Sequence, residues 1–225
     1  MKFGKIDYLN LLPFDVFIKK YKKPSSFNIR FRNYPSKLNT EFLYKRIDAG
    51  FISSIASMHS KKTNTGIVAY GAVWSVIIID NENNKFDYQS ASSNALSKLL
   101  NLRGEVLIGD RALKYKLEND NYLDLGYEWY KKYKLPFVFG ILCFNKYRDF
   151  YLNLGKSFNK ASIKIPHYII KKHSLDSGIS EIDIKNYLNR IHYKITSKAM
   201  HSLNLFHRQL RINNIRPPKR FDKLK

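Results

Sequence analysis

The sequence predicts an α/β protein with a helical C-terminal region. Two observations predict this class. Short apolar runs typical of strands alternate with amphipathic segments through the first 145 residues, and strand patterns fade from residue 146 onward. Alternation of strands with helices predicts a largely parallel sheet, and the ligand sites of such sheets lie at the carboxyl ends of the strands.

The first 80 residues carry the clearest alternation. Strand patterns occupy four stretches of it, residues 2–8, 28–34, 49–52 and 65–80. The last of these stretches is divided by Gly71. Pro13 stands where the first turn of a helix tolerates proline, and it leads into a predicted helix over 14–18. Ser36 is the predicted N-cap of a second helix, whose apolar face carries Leu38 and Phe42.

Residues 81–145 begin with a polar loop and then return to alternation. The hydroxyl-rich turn at 90–93, followed by Asn94, is predicted to open a helix. The further predicted elements are a strand over 105–110, a helix or a helical turn followed by a helix over 122–133, and a strand over 136–145. Cys143 lies in the last strand and is interpreted as a buried small apolar residue, since a catalytic thiol needs a partner that lowers its pKa.

The C-terminal third is predicted to be helical. Apolar residues recur at helical spacing over 147–158, over 165–174, and in two further helices between 181 and 206. Pro217 and Pro218 are expected to end regular structure, and the basic tail over 208–225 is expected to fray.

The charge of the chain raises the question of a nucleic-acid partner. The 225 residues include 40 Lys and Arg against 18 Asp and Glu, a formal net charge of +22. Lysines are scattered along the chain, which is typical of a solvated surface, so no nucleic-acid partner is expected. No membrane segment and no secretory signal are predicted, because the charge-free stretch 63–79 is too short to span a bilayer and charged residues begin at Lys2. With its single cysteine, the protein is expected to be cytoplasmic.

Signatures of several common chemistries are missing. There is no glycine-rich phosphate loop, no G-x-S-x-G motif and no histidine spacing typical of a metal site, so neither a metal nor a cofactor is expected. What remains is a set of hydroxyl, amide and backbone donors at predicted strand ends: Asn10, Ser53 and Ser54, residues 90–93, and Gly109 with Asp110. Such groups suit carboxylates, especially at a helix N-terminus. Ordinary helix capping explains each of them without a ligand.

Several short motifs occur in a characteristic order. They lie at residues 6–10, 12–13, 35–36, 47–50, 52–54, 75–76, 109–113, 124–130 and 135–139, and the most specific is Asp124-Leu125-Gly126-Tyr127-Glu128-Trp129-Tyr130. In this order the chain resembles the chorismate dehydratases of the futalosine route to menaquinone. Where that family usually has a Ser-Arg-Thr-Ser turn, this chain has Ser-Ala-Ser-Ser at 90–93, so the arginine is replaced by Ala91.

The resemblance implies a two-lobed fold of the periplasmic-binding-protein type II kind, with the ligand cleft between the lobes. Residues 1–80 and 140–225 would form one lobe and residues 81–139 the other. It also implies a hydro-lyase that eliminates water from chorismate to give 3-[(1-carboxyvinyl)oxy]benzoate. The residues assigned to this reaction are Asn10 and Ser75 for catalysis, and Ser54, Ser92, Ser93 and Asn94 for substrate binding.

The assigned roles differ in how firmly the residues support them. Asn10 is expected to hydrogen-bond the reacting ring or the departing hydroxyl, although an Asx-turn or a helix cap would explain it equally well. No general base is evident. Asp7 is interpreted as a structural residue that caps backbone amides, because a carboxylate there would repel a dianionic substrate. Asp110, Arg111, Asp124 and Trp129 are interpreted as packing and capping residues.

Three other functions stay open. The sister family that forms 1,4-dihydroxy-6-naphthoate shares the fold, but the motif at 124–130 favours the dehydratase. A non-catalytic small-anion binding protein is the first non-enzyme alternative, and the expected lack of a signal or lipid anchor disfavours it. A nucleic-acid binder is the second. Either a monomer or a homodimer is compatible with the sequence.

Overall fold

The computed structural model describes residues 1–219, apart from the side chains of Arg30 and Phe31. Part of the basic tail, residues 220–225, therefore lies outside the described residues. The strands of the described chain are β1 (Lys2–Lys5), β2 (Asn28–Arg32), β3 (Ala49–Ser53), β4 (Lys62–Ala69), β5 (Val76–Ile79), β6 (Glu105–Ile108), β7 (Leu123–Asp124), β8 (Phe137–Phe144) and β9 (Ile191–Lys194).

The helices alternate with these strands and then dominate the C-terminal third. They are α1 (Leu12–Lys20), α2 (Pro35–Leu43), α3 (Ala91–Leu100), α4 (Gly109–Glu118), α5 (Leu125–Tyr133), α6 (Arg148–Lys160), α7 (His167–Ser177), α8 (Glu181–Leu188) and α9 (Ser197–Ile212). A short 3₁₀ turn, Leu9–Leu11, precedes α1. The predicted α/β class with a helical C-terminal region is confirmed.

The strands form two sheets. The larger has the order β2-β1-β3-β8-β4-β9, and the smaller has the order β6-β5-β7. The chain passes from the larger sheet to the smaller between β4 and β5, and it returns through α5 into β8. Because β8 lies between β3 and β4, the returning strand occupies the middle of the larger sheet.

The expectation of a largely parallel sheet is wrong. β1 runs parallel to β2 and β3, but β8 runs antiparallel to β3 and β4, and β9 runs antiparallel to β4. In the smaller sheet β5 is antiparallel to both neighbours. Alternation of strands and helices also arises when a chain leaves for a second sheet and returns, so alternation alone does not determine strand direction.

Most predicted elements are found within a few residues of their expected positions. Pro13 lies in the first turn of α1, Gly71 separates β4 from β5, and Cys143 is buried in β8. The expected N-cap role of Ser36 is wrong. Tyr34 is the N-cap of α2 and Pro35 starts the helix, because the fixed φ of proline suits that position.

Three elements differ from expectation in the second half of the chain. Gly109 and Asp110, expected at the end of the strand over 105–110, instead begin α4, whose buried residues are Gly109, Ala112 and Leu113. The segment over 122–133 begins with the short strand β7. Residues 191–194 form the strand β9 within a region expected to be helical, and only Ile191 of the four is buried. Its pairing with β4 decides its conformation.

Aromatic side chains form much of the core on both sides of the larger sheet. The Phe14 ring makes edge contacts with the rings of Phe51 and Phe158, at centroid distances of 4.9 and 5.0 Å. Trp129 of α5 is fully buried, and its indole N–H donates to the Ser202 hydroxyl of α9 at 2.9 Å. This bond ties the returning segment to the C-terminal helix. Over residues 1–219, no helix is long and apolar enough to cross a membrane.

Candidate active site

A narrow cleft, with a cavity volume of about 50 Å³, lies between residues of the two sheets. Its walls combine apolar and aromatic side chains with a few hydroxyl and amide groups. The lining residues are Ile6, Tyr8, Asn10, Pro35, Phe51, Ser53, Ile67, Val73, Ser75, Val76, Ser90, Ser93, Ile108, Gly109, Phe139 and Gly140. None of these described lining residues carries a formal charge, so an anion here would be bound by hydrogen bonds and helix dipoles.

Asn10 lies in the 3₁₀ turn that follows β1. Its backbone carbonyl accepts a hydrogen bond from the Tyr193 hydroxyl of β9, at 2.6 Å. Its side-chain oxygen Oδ1 is buried and has no hydrogen-bond partner within residues 1–219. Buried polar atoms without partners are uncommon because desolvation without a hydrogen bond is costly. The Asn10 amide is therefore available to a ligand in the cleft.

Ser75 lies immediately before β5, at the crossing from the larger sheet to the smaller. Its side chain is 2% exposed, and its Oγ accepts a hydrogen bond from the Tyr187 hydroxyl of α8 at 2.8 Å. Its carbonyl oxygen accepts from the backbone N–H of Gly109 at 2.8 Å. A serine hydroxyl that accepts one hydrogen bond still has its own hydrogen to donate.

The N-terminus of α3 is directed at the cleft. Ser90 caps this helix: its Oγ accepts from the Ser93 N–H at 3.1 Å and donates to the Ser93 Oγ at 2.7 Å. Both serines line the cleft. The predicted hydroxyl-rich helix start is confirmed, and the positive end of the helix dipole adds to the attraction for an anion.

The N-terminus of α4 reaches the same cleft through Gly109. This glycine has φ of +65°, and a Cβ on it would come within 2.9 Å of the Tyr8 ring. Only glycine allows this backbone and this approach together. Pro35 at the start of α2 also lines the cleft, so helices α2, α3 and α4 all direct their N-termini toward it.

Hydrogen bonds join the loop before α3 to α2 and to the Tyr8 side chain beside the cleft. Ser36 donates its N–H to the Gln89 carbonyl at 2.9 Å and its hydroxyl to the Tyr88 carbonyl at 2.6 Å. The Tyr8 hydroxyl donates to Oε1 of Gln89. These bonds hold the cleft in a closed arrangement.

Asp110 and Asp87 are the carboxylates associated with this region. Burial raises the pKa of Asp110 to about 6, and its Oδ1 accepts from the Leu9 N–H at 3.2 Å. Asp87 pairs with Arg111 at 2.6 Å. Neither carboxylate lines the cleft: Asp110 joins α4 to the 3₁₀ turn and Asp87 joins the loop before α3 to α4, in line with the packing roles expected of Asp110 and Arg111.

Three of the six predicted site residues, Asn10, Ser75 and Ser93, line the cleft. The other three use their side chains within the protein. The Ser54 hydroxyl donates to the Val138 carbonyl, and the Ser92 Oγ accepts from the Ile55 N–H at 3.1 Å. The Asn94 amide forms two bonds to the Asp87 backbone.

Ser53 lines the cleft in place of Ser54. Side chains alternate between the faces of a strand, and Ser53 shares the face of Phe51, which also lines the cleft. The strand pattern thus contains a signal that identifies Ser53. Tyr8 and Ser90 belong to motifs singled out in the sequence, but neither was assigned a role.

Two structural interpretations have different outcomes. Asp7 does not cap backbone amides in the described chain; its carboxylate pairs with the Lys5 ammonium at 2.7 Å. Asp124 is the N-cap of α5, as expected. It accepts hydrogen bonds from the N–H groups of Tyr127, Val73 and Trp74.

Solved structures with the same fold define the class of this protein. A protein from Archaeoglobus fulgidus has a TM-score of 0.70 at 11% identity, covering 95% of this chain and 97% of that chain. The alkanesulfonate-binding protein SsuA from Xanthomonas axonopodis pv. citri, solved bound to MOPS, has a TM-score of 0.58 at 10% identity, covering 98% and 94%. The fold and its cleft are those of the periplasmic-binding-protein-like class, and this predicted fold is confirmed.

Sequence comparison then gives the family. A family model described as menaquinone biosynthesis matches residues 1–103 and 85–211, and the chain belongs to this family. The chain is 41% identical over 213 residues to chorismate dehydratase from Campylobacter jejuni subsp. jejuni serotype O:23/36 (strain 81-176), covering 92% of this chain and 96% of that relative. The resemblance inferred from the motifs is confirmed.

Proposed function

We propose that this protein is a hydro-lyase that converts chorismate to 3-[(1-carboxyvinyl)oxy]benzoate. The observation that carries the proposal is the unpaired Oδ1 of Asn10 in an uncharged cleft at which three helix N-termini converge. A dianion suits such a site, because hydroxyls and helix ends can bind its two carboxylates without a buried cation. The 41% identity to a chorismate dehydratase supports the choice of substrate.

In the proposed complex the two sides of the cleft have different tasks. Ser90 and Ser93, at the N-terminus of α3, bind one carboxylate. The aromatic rings of Tyr8, Phe51 and Phe139 pack against the substrate ring. The Asn10 Oδ1 accepts from the ring hydroxyl that departs and so orients it, whereas Ser75 donates to the oxygen of that hydroxyl and stabilises the charge that develops on it.

The reaction breaks one ring C–O bond and one ring C–H bond, and the hydroxide and the proton leave together as water. The electron pair of the C–H bond completes the aromatic ring, which supplies the driving force. Neither a carboxylate nor a histidine is among the described residues that line the cleft. We therefore propose that a carboxylate of the substrate accepts the proton and passes it to the departing hydroxide, so that water leaves and the carboxylate is regenerated.

We also propose that the two sheets are the cores of two lobes. The strands that make up each sheet support a first boundary between Ala69 and Val76, since β5 pairs with β6 and β7. They support a second boundary just before β8, which lies wholly in the larger sheet. Both boundaries differ by a few residues from the division at 80 and 139 expected from the sequence.

The test is to incubate purified protein with chorismate and follow the loss of the cyclohexadiene absorbance together with formation of the aromatic ether by chromatography. The expected result is stoichiometric conversion. Binding of chorismate without turnover would support the small-anion binding protein instead. If chorismate is neither bound nor converted, the proposed function is wrong.

A further inference from the structure

Two tyrosines from the C-terminal region form hydrogen bonds to the two residues assigned to catalysis. The Tyr187 hydroxyl of α8 donates to Ser75 Oγ at 2.8 Å, and the Tyr193 hydroxyl of β9 donates to the Asn10 carbonyl at 2.6 Å. The partners are 112 and 183 residues apart in the chain. Neither tyrosine lines the cleft, so neither contacts a substrate directly.

Packing alone does not require a hydroxyl at either position. A buried phenol loses solvation, and its hydroxyl favours folding only when it finds a partner. Burial raises the pKa of Tyr187 and of Tyr193, so both phenols stay protonated at neutral pH and act as donors. In the structure both bonds run from the tyrosine to the catalytic segment: Tyr193 donates to a carbonyl, which can only accept, and Tyr187 donates to the Ser75 hydroxyl oxygen.

The direction of the first bond constrains Ser75. Because the Ser75 Oγ accepts from Tyr187, its own hydrogen is free to point in another direction. Ser75 lines the cleft, so this hydrogen can be donated to a ligand there. Without the Tyr187 hydroxyl, Ser75 could rotate and donate into the protein instead. The bond thus selects the hydroxyl orientation that donates to substrate.

The second bond constrains the backbone around Asn10. The 3₁₀ turn Leu9–Leu11 has no side-chain cap, so its orientation depends on contacts with neighbouring elements. Tyr193 donates to the Asn10 carbonyl, and the side-chain Oδ1 stays unpaired. The phenol therefore fixes where the Asn10 amide is presented.

We propose that Tyr187 and Tyr193 are positioning residues for the reaction, each orienting one catalytic side chain from outside the cleft. This inference rests on the proposed dehydratase function. In this proposal α8 and β9 help to orient the catalytic side chains, in addition to packing in the core.

The chain offers a matched control. Tyr151 of α6 is fully buried and stacks on Phe3 and Phe144, and its hydroxyl has no hydrogen-bond partner within residues 1–219. Tyr151→Phe removes the same atom from a ring that is as buried as that of Tyr187 and forms no hydrogen bond to a catalytic residue. Thermal unfolding of all variants would report any general effect on packing.

The experiment compares kcat and KM for chorismate in wild type, Tyr187→Phe, Tyr193→Phe and Tyr151→Phe. One positioning hydrogen bond corresponds to a loss of about 10-fold in kcat for Tyr187→Phe and about 3- to 10-fold for Tyr193→Phe. KM should change by less than about 3-fold, since neither phenol contacts substrate. Tyr151→Phe should retain wild-type kcat.

A double-mutant cycle separates positioning from general destabilisation. If Tyr187 acts through Ser75, then Tyr187→Phe should cause no further loss in kcat in a Ser75→Ala background, measured in single turnovers with enzyme in excess. An equal loss in both backgrounds would overturn the proposal, as would full kcat in Tyr187→Phe. If wild type leaves chorismate unconverted, both proposals fall; if wild type is active, only the role of the tyrosines is at issue.

Discussion

The two walls of the cleft present similar polar groups but hold them differently. In the first wall, Asn10 and Ser75 are held by hydroxyls from residues 183 and 112 positions away. In the second wall, Ser90 and Ser93 hold each other across three residues. The first wall is organised by tertiary contacts and the second by local helix capping.

This difference indicates how each wall responds to change. A capped helix start keeps its geometry as long as the helix forms, because its bonds are internal to one turn. Asn10 and Ser75 keep their geometry only while Tyr193 of β9 and Tyr187 of α8 remain hydrogen-bonded to them. Activity should therefore depend on the C-terminal region through the first wall, while anion affinity depends mainly on the second.

The largest effect should come from the first wall. Asn10→Ala should lower kcat/KM by on the order of 100-fold, as expected when a hydrogen bond that orients the reacting group is lost. The free energy of unfolding should hardly change, because the Oδ1 that is removed has no partner to lose. Steady-state kinetics and chemical denaturation would measure both quantities.

Asn159 supplies the control for Asn10. Its Oδ1 is also buried and unpaired within residues 1–219, but it lies outside the cleft. Asn159→Ala should retain wild-type kcat/KM. Full activity in Asn10→Ala would contradict the catalytic role of the first wall.

Gly109→Ala tests the close approach between the start of α4 and the Tyr8 ring. The left-handed backbone adds about 1 kcal/mol for alanine, and the contact between its Cβ and the Tyr8 ring should bring the total loss of unfolding free energy to about 2–3 kcal/mol. Gly178→Ala isolates the backbone effect, because its φ is +72° and the nearest atom to its Cβ, Lys114 Nζ, is 3.8 Å away. Equal losses in both variants would show that the Tyr8 contact carries no energy.

His207 makes the stability of the protein sensitive to acid. It lies in α9, and its Nε2–H donates to the Ser54 carbonyl at 2.9 Å, next to the cleft residue Ser53. Burial lowers the pKa of His207 to about 4, and the nearby cations Lys62 and Arg211 act in the same direction. The folded state thus binds this proton less readily than the unfolded chain.

The sign of the pH effect follows from that difference. The stabilising contribution is complete above about pH 6.5 and is lost as pH falls toward 4, amounting to about 1–2 kcal/mol by pH 5. Denaturant unfolding at pH 7 and pH 5 would measure it. His207→Gln keeps a donor for the Ser54 carbonyl and should lose less stability over this range; an identical loss in wild type would contradict the assignment to His207.

The smallest effect should come from Ser90. Ser90→Ala removes the cap of α3 and should lower the free energy of unfolding by about 1 kcal/mol. Ser90→Asp keeps a capping oxygen but adds a negative charge beside the bound carboxylate, so KM for chorismate should rise while stability recovers. Thr196→Ala removes the cap of α9 and should leave KM unchanged. An unchanged KM in Ser90→Asp would place the carboxylate elsewhere.

Much of the local structure could be predicted from the sequence. Pro13 at the start of α1, the serine turn before α3 and the Asp124 cap of α5 follow rules that involve residues within one helical turn. The ordered motifs also identified the family. Strand alternation also contains the signal that places Ser53 on the face of β3 that lines the cleft.

The sequence by itself therefore determined the capped helix start of the second wall, the fold class and the family. Each of these depends on neighbouring residues or on the characteristic order of short motifs. The direction of β8, the strand conformation of β9 and the support of Asn10 and Ser75 by two tyrosines were decided only by the tertiary structure. Hydrogen bonds between residues more than 100 positions apart leave no periodic signal in the chain, and they form only when packing brings α8 and β9 against the cleft.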